Sequence, residues 1–473
     1  MRTVVAASML AVVVACGGGS IPSGTTAVAP GGGGDSTALT AEVGVTFPNL
    51  LDQGGAKVLP TYVSHVISSA TYPLASISIR NTGPAITGAV VSVNLSTFGA
   101  AGTRTVSLAR GETKTLSLSP VIDYPALFQV TSPLPGALEV TVTVGATTLF
   151  SQTYPIRISG RDTVFWSSNG QSLAPLIGAM VTPTDRAGKI AALLRNAATR
   201  FPGETMLGYQ LGAIPSQAIG PIDPGSYEQE RLYALEGESP TVTIDGVTLS
   251  SRGDADIATV AITDDANFEA WTSGSSATAC AFSATATAGT VLTCPAVSSA
   301  GWYHVIYFNP SSNAAARTVS RRRPMTRWES TYRQTQAIFE ELRAEGLLYV
   351  NLPGTGFFAT AQNVKYPSES LSTRSANCVD GALVFASAWE AMSMEPLVAL
   401  DFVHGHSFVA VRCWSGTADC MIPVETTMVG SSASFADAVS TAAANWTEWT
   451  SAGTLEVLDI EALREAGLTP APM

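Results

Sequence analysis

Between residues 378 and 426 a helix must form, stop and hand over to a sheet. The run from Val379 to Met394 has no Gly or Pro after Gly381 and is rich in helix formers such as Ala382, Leu383, Ala386, Ala388, Glu390 and Met392. It reads as a helix that starts at Cys378 and is stopped by Pro396. Leu397 to Phe402, a tight turn at Val403-His404-Gly405, His406 to Trp414 and Met421 to Thr426 then read as three short strands. A long helix followed by tightly linked antiparallel strands places this part of the chain in the α+β class.

Chemistry-bearing residues sit at the joints of that pattern. A thiol at a helix N-terminus faces unpaired backbone N–H groups and the positive end of the macrodipole, both of which stabilise negative charge, so Cys378 is a candidate nucleophile. Cys413 and Cys420 flank the loop between the second and third strands. If they stand opposite each other, His406 faces Thr427 and Glu425 is its diagonal neighbour; a shift of two residues puts His406 directly opposite Glu425. Either register sets an imidazole beside a carboxylate, as a base and its orienting partner require. Asp401 lies before the turn and is the lesser candidate for that acid.

The runs RSANCVDGALVFASAWEAMSMEPLVAL, GHSFVAVRCW and IPVETT resemble the transglutaminase-like superfamily, whose papain-like fold carries Cys on a helix and then His and an acid on successive strands. The resemblance covers about residues 327 to 430. It implies Cys378 as nucleophile, His406 as general base and Glu425 as the orienting acid, a place where the superfamily more often has Asp. LAPLIGAMVTPTD and MLGYQLG resemble the N-terminal part of a bacterial subgroup. By the same likeness, Gln362 in AQNVKYP is a candidate oxyanion-hole donor.

The start of the chain bears on location. Arg2, the apolar run Val4 to Ala15 and then Cys16 read as a signal peptide, too short to span a membrane. Val13-Val14-Ala15-Cys16 resembles a bacterial lipobox, which implies lipidation at Cys16, a membrane anchor, and an outer-membrane or cell-surface location. Residues 17–42 are rich in Gly, Ser, Thr, Pro and Ala and read as a flexible linker. With 13% charged residues and a net charge of −12, the chain lacks the basic footprint of a nucleic-acid binder. Of the 6 cysteines, Cys280 with Cys294 and Cys413 with Cys420 form two expected disulfides, which leaves Cys378 as a lone thiol in an exported chain.

Residues 43–160 alternate apolar and polar with a turn every ten or so positions, as expected of an immunoglobulin-like β-sandwich. Without an aromatic cluster or charged patch, it reads as a spacer, and His65 within it as structural. Residues 161–235 read as the first part of the transglutaminase-like domain, opened by a helix capped at Thr182-Pro183-Thr184-Asp185. Residues 236–322 read as an inserted β-sandwich, left through a solvated Arg321-Arg322-Arg323, and 323–473 as the catalytic core. There Trp328, Tyr332, Thr335, Phe339 and Leu342 make the core stripe of a helix expected beside the one bearing Cys378, and short helices close the chain. Arg252-Gly253-Asp254 matches an adhesion tripeptide, a match that in a loop of this composition is far more often chance, and the acids Asp254, Asp256, Asp264 and Asp265 lack the regular oxygen-ligand spacing of a Ca²⁺-binding loop.

The expectation is a lipid-anchored cysteine enzyme acting on a protein or peptide substrate through a thioester, without cofactor or metal. A non-catalytic binding or scaffolding lipoprotein is the alternative. A zinc site from Cys378, His404 and His406 is weaker, because the other cysteines are better explained as pairs.

Overall fold

The computed structural model describes residues 38–200, 206–251, 256–351 and 361–472. Cys16, the signal and lipobox segment, and Arg252-Gly253-Asp254 lie outside these residues. The architecture is mixed α and β, with several separate sheets.

In the N-terminal part, a three-stranded sheet (Ala41–Thr46, Ala75–Asn81, Thr113–Leu118) and a six-stranded sheet centred on Leu134–Val144 and Thr147–Ile158 contribute their buried faces to one apolar core. Val43, Ile77 and Leu116 enter from the first sheet, and Val93, Val140 and Ile156 from the second. This core does not stop at residue 160. It continues without a break through Tyr62, Val66, Trp166 and Ile177 into the helix of Cys378. His65 adds a hydrogen bond at 2.9 Å to the carbonyl of Thr469. A spacer would keep a core of its own, so the N-terminal part is instead a structural half of the unit that carries the cysteine.

The inserted sandwich does have its own core, built around Val242, Val260, Val305 and Val319. It is larger than the sequence suggests. Ala213–Ile222 pairs with Arg317–Pro324, and Tyr227–Ala234 pairs with Gly301–Phe308, so the two sheets extend from residue 213 to 324. Ala213–Ile222 escaped notice because most of its side chains are exposed, leaving no alternation to read. The arginine run is also corrected: in a strand, alternate residues face opposite sides. Arg321 and Arg323 are buried, and only Arg322 is exposed. Arg321 meets Glu230 inside the sandwich, while Arg323 makes two 2.6 Å bonds to Glu329 on the next helix.

The cysteine unit is a helix on a four-stranded antiparallel sheet. The strand order is Met421–Val424, His406–Arg412, Pro396–Asp401, Leu455–Asp459. The helix Cys378–Ala391 is buried from Cys378 to Trp389, as expected of an element apolar on every side. It ends at Ala391, before Pro396, because Ser393 takes the left-handed conformation (φ 57°). Past Glu425 the structure shows one long helix, Phe435–Ala452, then the unforeseen edge strand Leu455–Asp459 and the short helix Ile460–Glu465.

The upstream segments wrap the back of the cysteine helix. The helix expected to start at Pro183, with Asp185 in its first turn, instead runs Lys189–Arg200, and Asp185 lies ahead of it, accepting N–H bonds from Lys189 and Ile190. That helix packs on both Cys378–Ala391 and Arg327–Ala344, so the helix of the Trp328 to Leu342 stripe and the cysteine helix share it as a neighbour. In MLGYQLG, Gly208 donates to and accepts from the Gln334 amide.

Gly208 has φ +84°, and a Cβ there would stand 2.0 Å from the carbonyl oxygen of Met392. Gly170, with φ +76°, has nothing within 4 Å. Gly170→Ala is expected to lose about 1 kcal/mol, the backbone penalty alone. Gly208→Ala should lose roughly 3 kcal/mol or more, because the chain must also move away from the cysteine helix. Urea unfolding of the two variants checks the difference, and equal losses would show that Gly208 does not sit against Met392.

Candidate active site

Cys378 is the first residue of its helix, and Asn377 before it is the cap. The Asn377 side chain accepts the Asp380 N–H at 2.8 Å, and the Asp380 carboxylate accepts the Asn377 N–H at 3.0 Å, a reciprocal capping box. Asp380 also accepts the Lys365 N–H at 2.8 Å. Its carboxyl is pushed up to about 6 by burial, against these N–H bonds. The segment holding Gln362 is therefore tied to the first turn of the cysteine helix.

At the far end of the strand that begins with His406, the Cys413–Cys420 disulfide closes the hairpin and fixes the strand register. Arg412 pairs with Met421 and Val409 with Val424, the frame in which the two cysteines face each other. The strand ends at Val424, and Glu425 caps a short 3₁₀ turn over Thr426–Met428. From there its carboxylate reaches His406 Nε2 at 2.8 Å through Oε2, while Oε1 accepts from the Thr427 hydroxyl at 2.6 Å and the Thr427 N–H at 3.2 Å. Glu425 is buried, and His406 is about one quarter exposed. Cys378 acts with Glu425 on the charge of the same ring. With Nε2 held by Glu425, Nδ1 is the nitrogen left to serve as the base.

Burial works against a charged His406, but hydrogen bonds to Cys378 and Glu425, and the charges of both, outweigh it and raise the ring to about 10. A proton delivered to this imidazole is thus held firmly. Gly381 keeps the two halves close: a Cβ there would lie 2.8 Å from Thr426 Oγ1, directly after Glu425.

Asp401 has a different task. It is fully buried and accepts from the backbone N–H groups of Val403 and His404, from His404 Nδ1 at 2.6 Å and from the Thr454 hydroxyl at 2.8 Å. It builds the turn before His406 and does not orient that ring. Among the described residues no three His, Cys, Asp or Glu side chains converge on a metal-binding geometry. Asp264 caps the helix Asp265–Thr272, and Asp265 pairs with Arg231 and His304, which accounts for two of the acids considered for Ca²⁺.

Gln362 lies on the strand Ala361–Asn363, paired with Thr163–Phe165, and is buried. The Trp166 indole donates to its Oε1 at 3.1 Å, which orients the amide. Sequence reasoning missed Trp449. Its ring meets His406 edge-on at 5.9 Å and lies parallel to His404 at 6.3 Å. It also missed Asp380, although the spacing of Asn377 and Asp380 is that of a capping box.

Comparison with known proteins adds little. No protein-family model matches the chain, and no curated protein matches it. Among solved structures, the chain shows a likeness to the secreted serine protease VesC from Vibrio cholerae at 12% identity and a TM-score of 0.15. That match covers 52% of this chain and 45% of the other, and a likeness so slight carries no argument. The disulfides Cys280–Cys294 and Cys413–Cys420 belong to chemistry that persists in oxidising compartments. No helix of the described residues is long and apolar enough to cross a membrane.

The His406 environment gives a pH prediction. Its folded value lies above the ordinary histidine value, so the stabilisation it brings is complete below about pH 6.5 and is lost as pH rises toward 10. Glu425→Gln should bring the ring's titration down toward the ordinary range, read by NMR of labelled histidine. The stability gap between wild type and variant should be largest near pH 6 and shrink in alkaline solution. A ring that titrates alike in both proteins would contradict the charge coupling.

Proposed function

We propose that the protein is a cysteine enzyme of transglutaminase-like type that attacks amide bonds of a protein or peptide. The observation that carries this reading is the linked set of Cys378, His406 and Glu425, with the sulfur at a helix N-terminus and the carboxylate on the far nitrogen of the ring. In the reaction His406 Nδ1 takes the proton of Cys378, and the sulfur adds to the amide carbonyl carbon. Glu425 holds the resulting imidazolium in place. Gln362 is the proposed donor to the oxyanion. As the tetrahedral adduct collapses, the imidazolium protonates the leaving amine, the C–N bond breaks and a thioester remains. Water then adds to the thioester with His406 as base, releasing the acid and the thiol; an amine in place of water would give transamidation. Hydrolysis is favoured, since no amine-binding group is identifiable and water is always present.

Export with a lipid anchor at Cys16 belongs to the same proposal. It rests on the sequence of residues 1–16 and accords with the two disulfides.

Alkylation of Cys378 by a small haloacetamide near pH 7, followed by mass mapping, tests the reading. Wild-type Cys378 should react selectively. His406→Ala should slow it about 100-fold or more, the scale of a positioned base, and Glu425→Gln should slow it less. Equal, sluggish reaction in all three proteins would favour a binding or scaffolding lipoprotein that keeps the fold without the chemistry.

A further inference from the structure

The described residues contain one run of three consecutive large apolar side chains left in solvent. Leu348 is 56% exposed, Tyr349 43% and Val350 38%. Alternate residues of a strand face opposite sides, so Tyr349 is presented on one side and Leu348 on the other. This run is fastened to the turn that bears the cysteine. Leu348–Tyr349 pairs in parallel with Ser375–Ala376, Tyr349 opposite Ala376, two residues before Cys378. The Leu348 N–H donates to the Arg374 carbonyl at 3.0 Å, and the Val350 N–H to the Ala376 carbonyl at 2.9 Å.

The acid side of the site approaches the same run. A Cβ on Gly430 would come within 2.8 Å of the Leu347 carbonyl oxygen and 3.1 Å of Leu348 Cα, so the loop after Glu425 lies directly against it. Electrostatics agree: the Tyr349 phenol is raised by burial and then by the charges of Cys378 and Glu425. On the Ser375 side, Lys365 Nζ donates to the Ser375 hydroxyl at 2.6 Å and its carbonyl at 3.1 Å. Cys378 itself is only 8% exposed, so a substrate must settle along its rim for a carbonyl to reach the sulfur.

We propose, resting on the enzyme reading above, that Tyr349 forms an uncharged apolar wall of the substrate cleft and selects amides flanked by an apolar, preferentially aromatic, group. Tyr349 is the specificity-determining residue: it pairs with Ala376, two residues before Cys378, and its partly exposed ring supplies a flat apolar face. Substrates with charged groups at that place would lose hydration without gaining a partner.

Two alkylating reagents that differ only in one ring, chloroacetamide and N-benzylchloroacetamide, test the wall, with the labelled site confirmed by mass mapping. In wild type the benzyl reagent should modify Cys378 about tenfold faster at limiting concentration, the scale of burying part of an aromatic ring. Tyr349→Ala should bring the ratio of the two rates down to about that of the reagents with free cysteine, and Tyr349→Phe should preserve it. Reading a ratio removes any general change in thiol reactivity. Equal rates in wild type, with His406 still required for both, would overturn the wall and leave the enzyme reading standing. A benzyl preference that survives while His406→Ala changes neither rate would sink the enzyme reading and keep the wall as a binding surface.

Discussion

The buried carboxylate of Asp380 is the tie on which the site's geometry rests. It accepts the N–H of Asn377, completing the cap that starts the cysteine helix, and the N–H of Lys365, three residues after Gln362. Each is a backbone donor that would otherwise be left without a partner in a dry region, and such losses run to about 1–3 kcal/mol apiece. Burial raises the carboxyl to about 6, so ionisation here is opposed, and these donors together with the charge of Lys365 offset part of that cost. One side chain thereby fixes where the helix begins, where the sulfur stands and how the proposed oxyanion donor's strand approaches.

The inserted sandwich is braced against this frame. Rings run from Trp302 in the insertion to Trp328 at 5.2 Å, Tyr332 at 4.6 Å and Phe435 at 4.9 Å, in steps typical of edge and offset contacts. Phe435 opens the helix whose Ala438 carbonyl accepts the Glu425 N–H at 3.1 Å. The paired Arg323 and Glu329 lock the same junction in one orientation, a contribution better seen as geometry than as net stability. A sandwich hung on the unit as an independent module would need neither.

What the sequence made legible was local. The cysteine helix, the turn before His406 and the register set by Cys413 and Cys420 all follow from spacing, because each depends on residues within about one turn or hairpin of one another. What it hid was pairing at a distance. Ala213–Ile222 joins a sheet through Arg317–Pro324, about a hundred residues on, and its exposed side chains leave no periodic signal. Arg321 and Arg323 look solvated in a basic triplet until Glu230 and Glu329 arrive from other elements. The continuity of the N-terminal core with the cysteine helix was invisible for the same reason.

The choice of glutamate at 425 has a geometric basis in where the strand stops. An acid on the strand itself would project beside the imidazole directly. Here the ladder ends at Val424, and the backbone of Glu425 already turns into the 3₁₀ segment, its N–H committed to Ala438. From that set-back position the longer side chain spans the gap to Nε2, and Thr427 holds the other oxygen so that the carboxylate cannot rotate away. An aspartate at the same position would keep the Thr427 contact only by giving up the ring, since its shorter arm cannot serve both. Glutamate and the following Thr426-Thr427 pair thus act as one device: Thr427 clamps the carboxylate, and Thr426, packed where Gly381 leaves room, seats the turn on the helix that carries the sulfur.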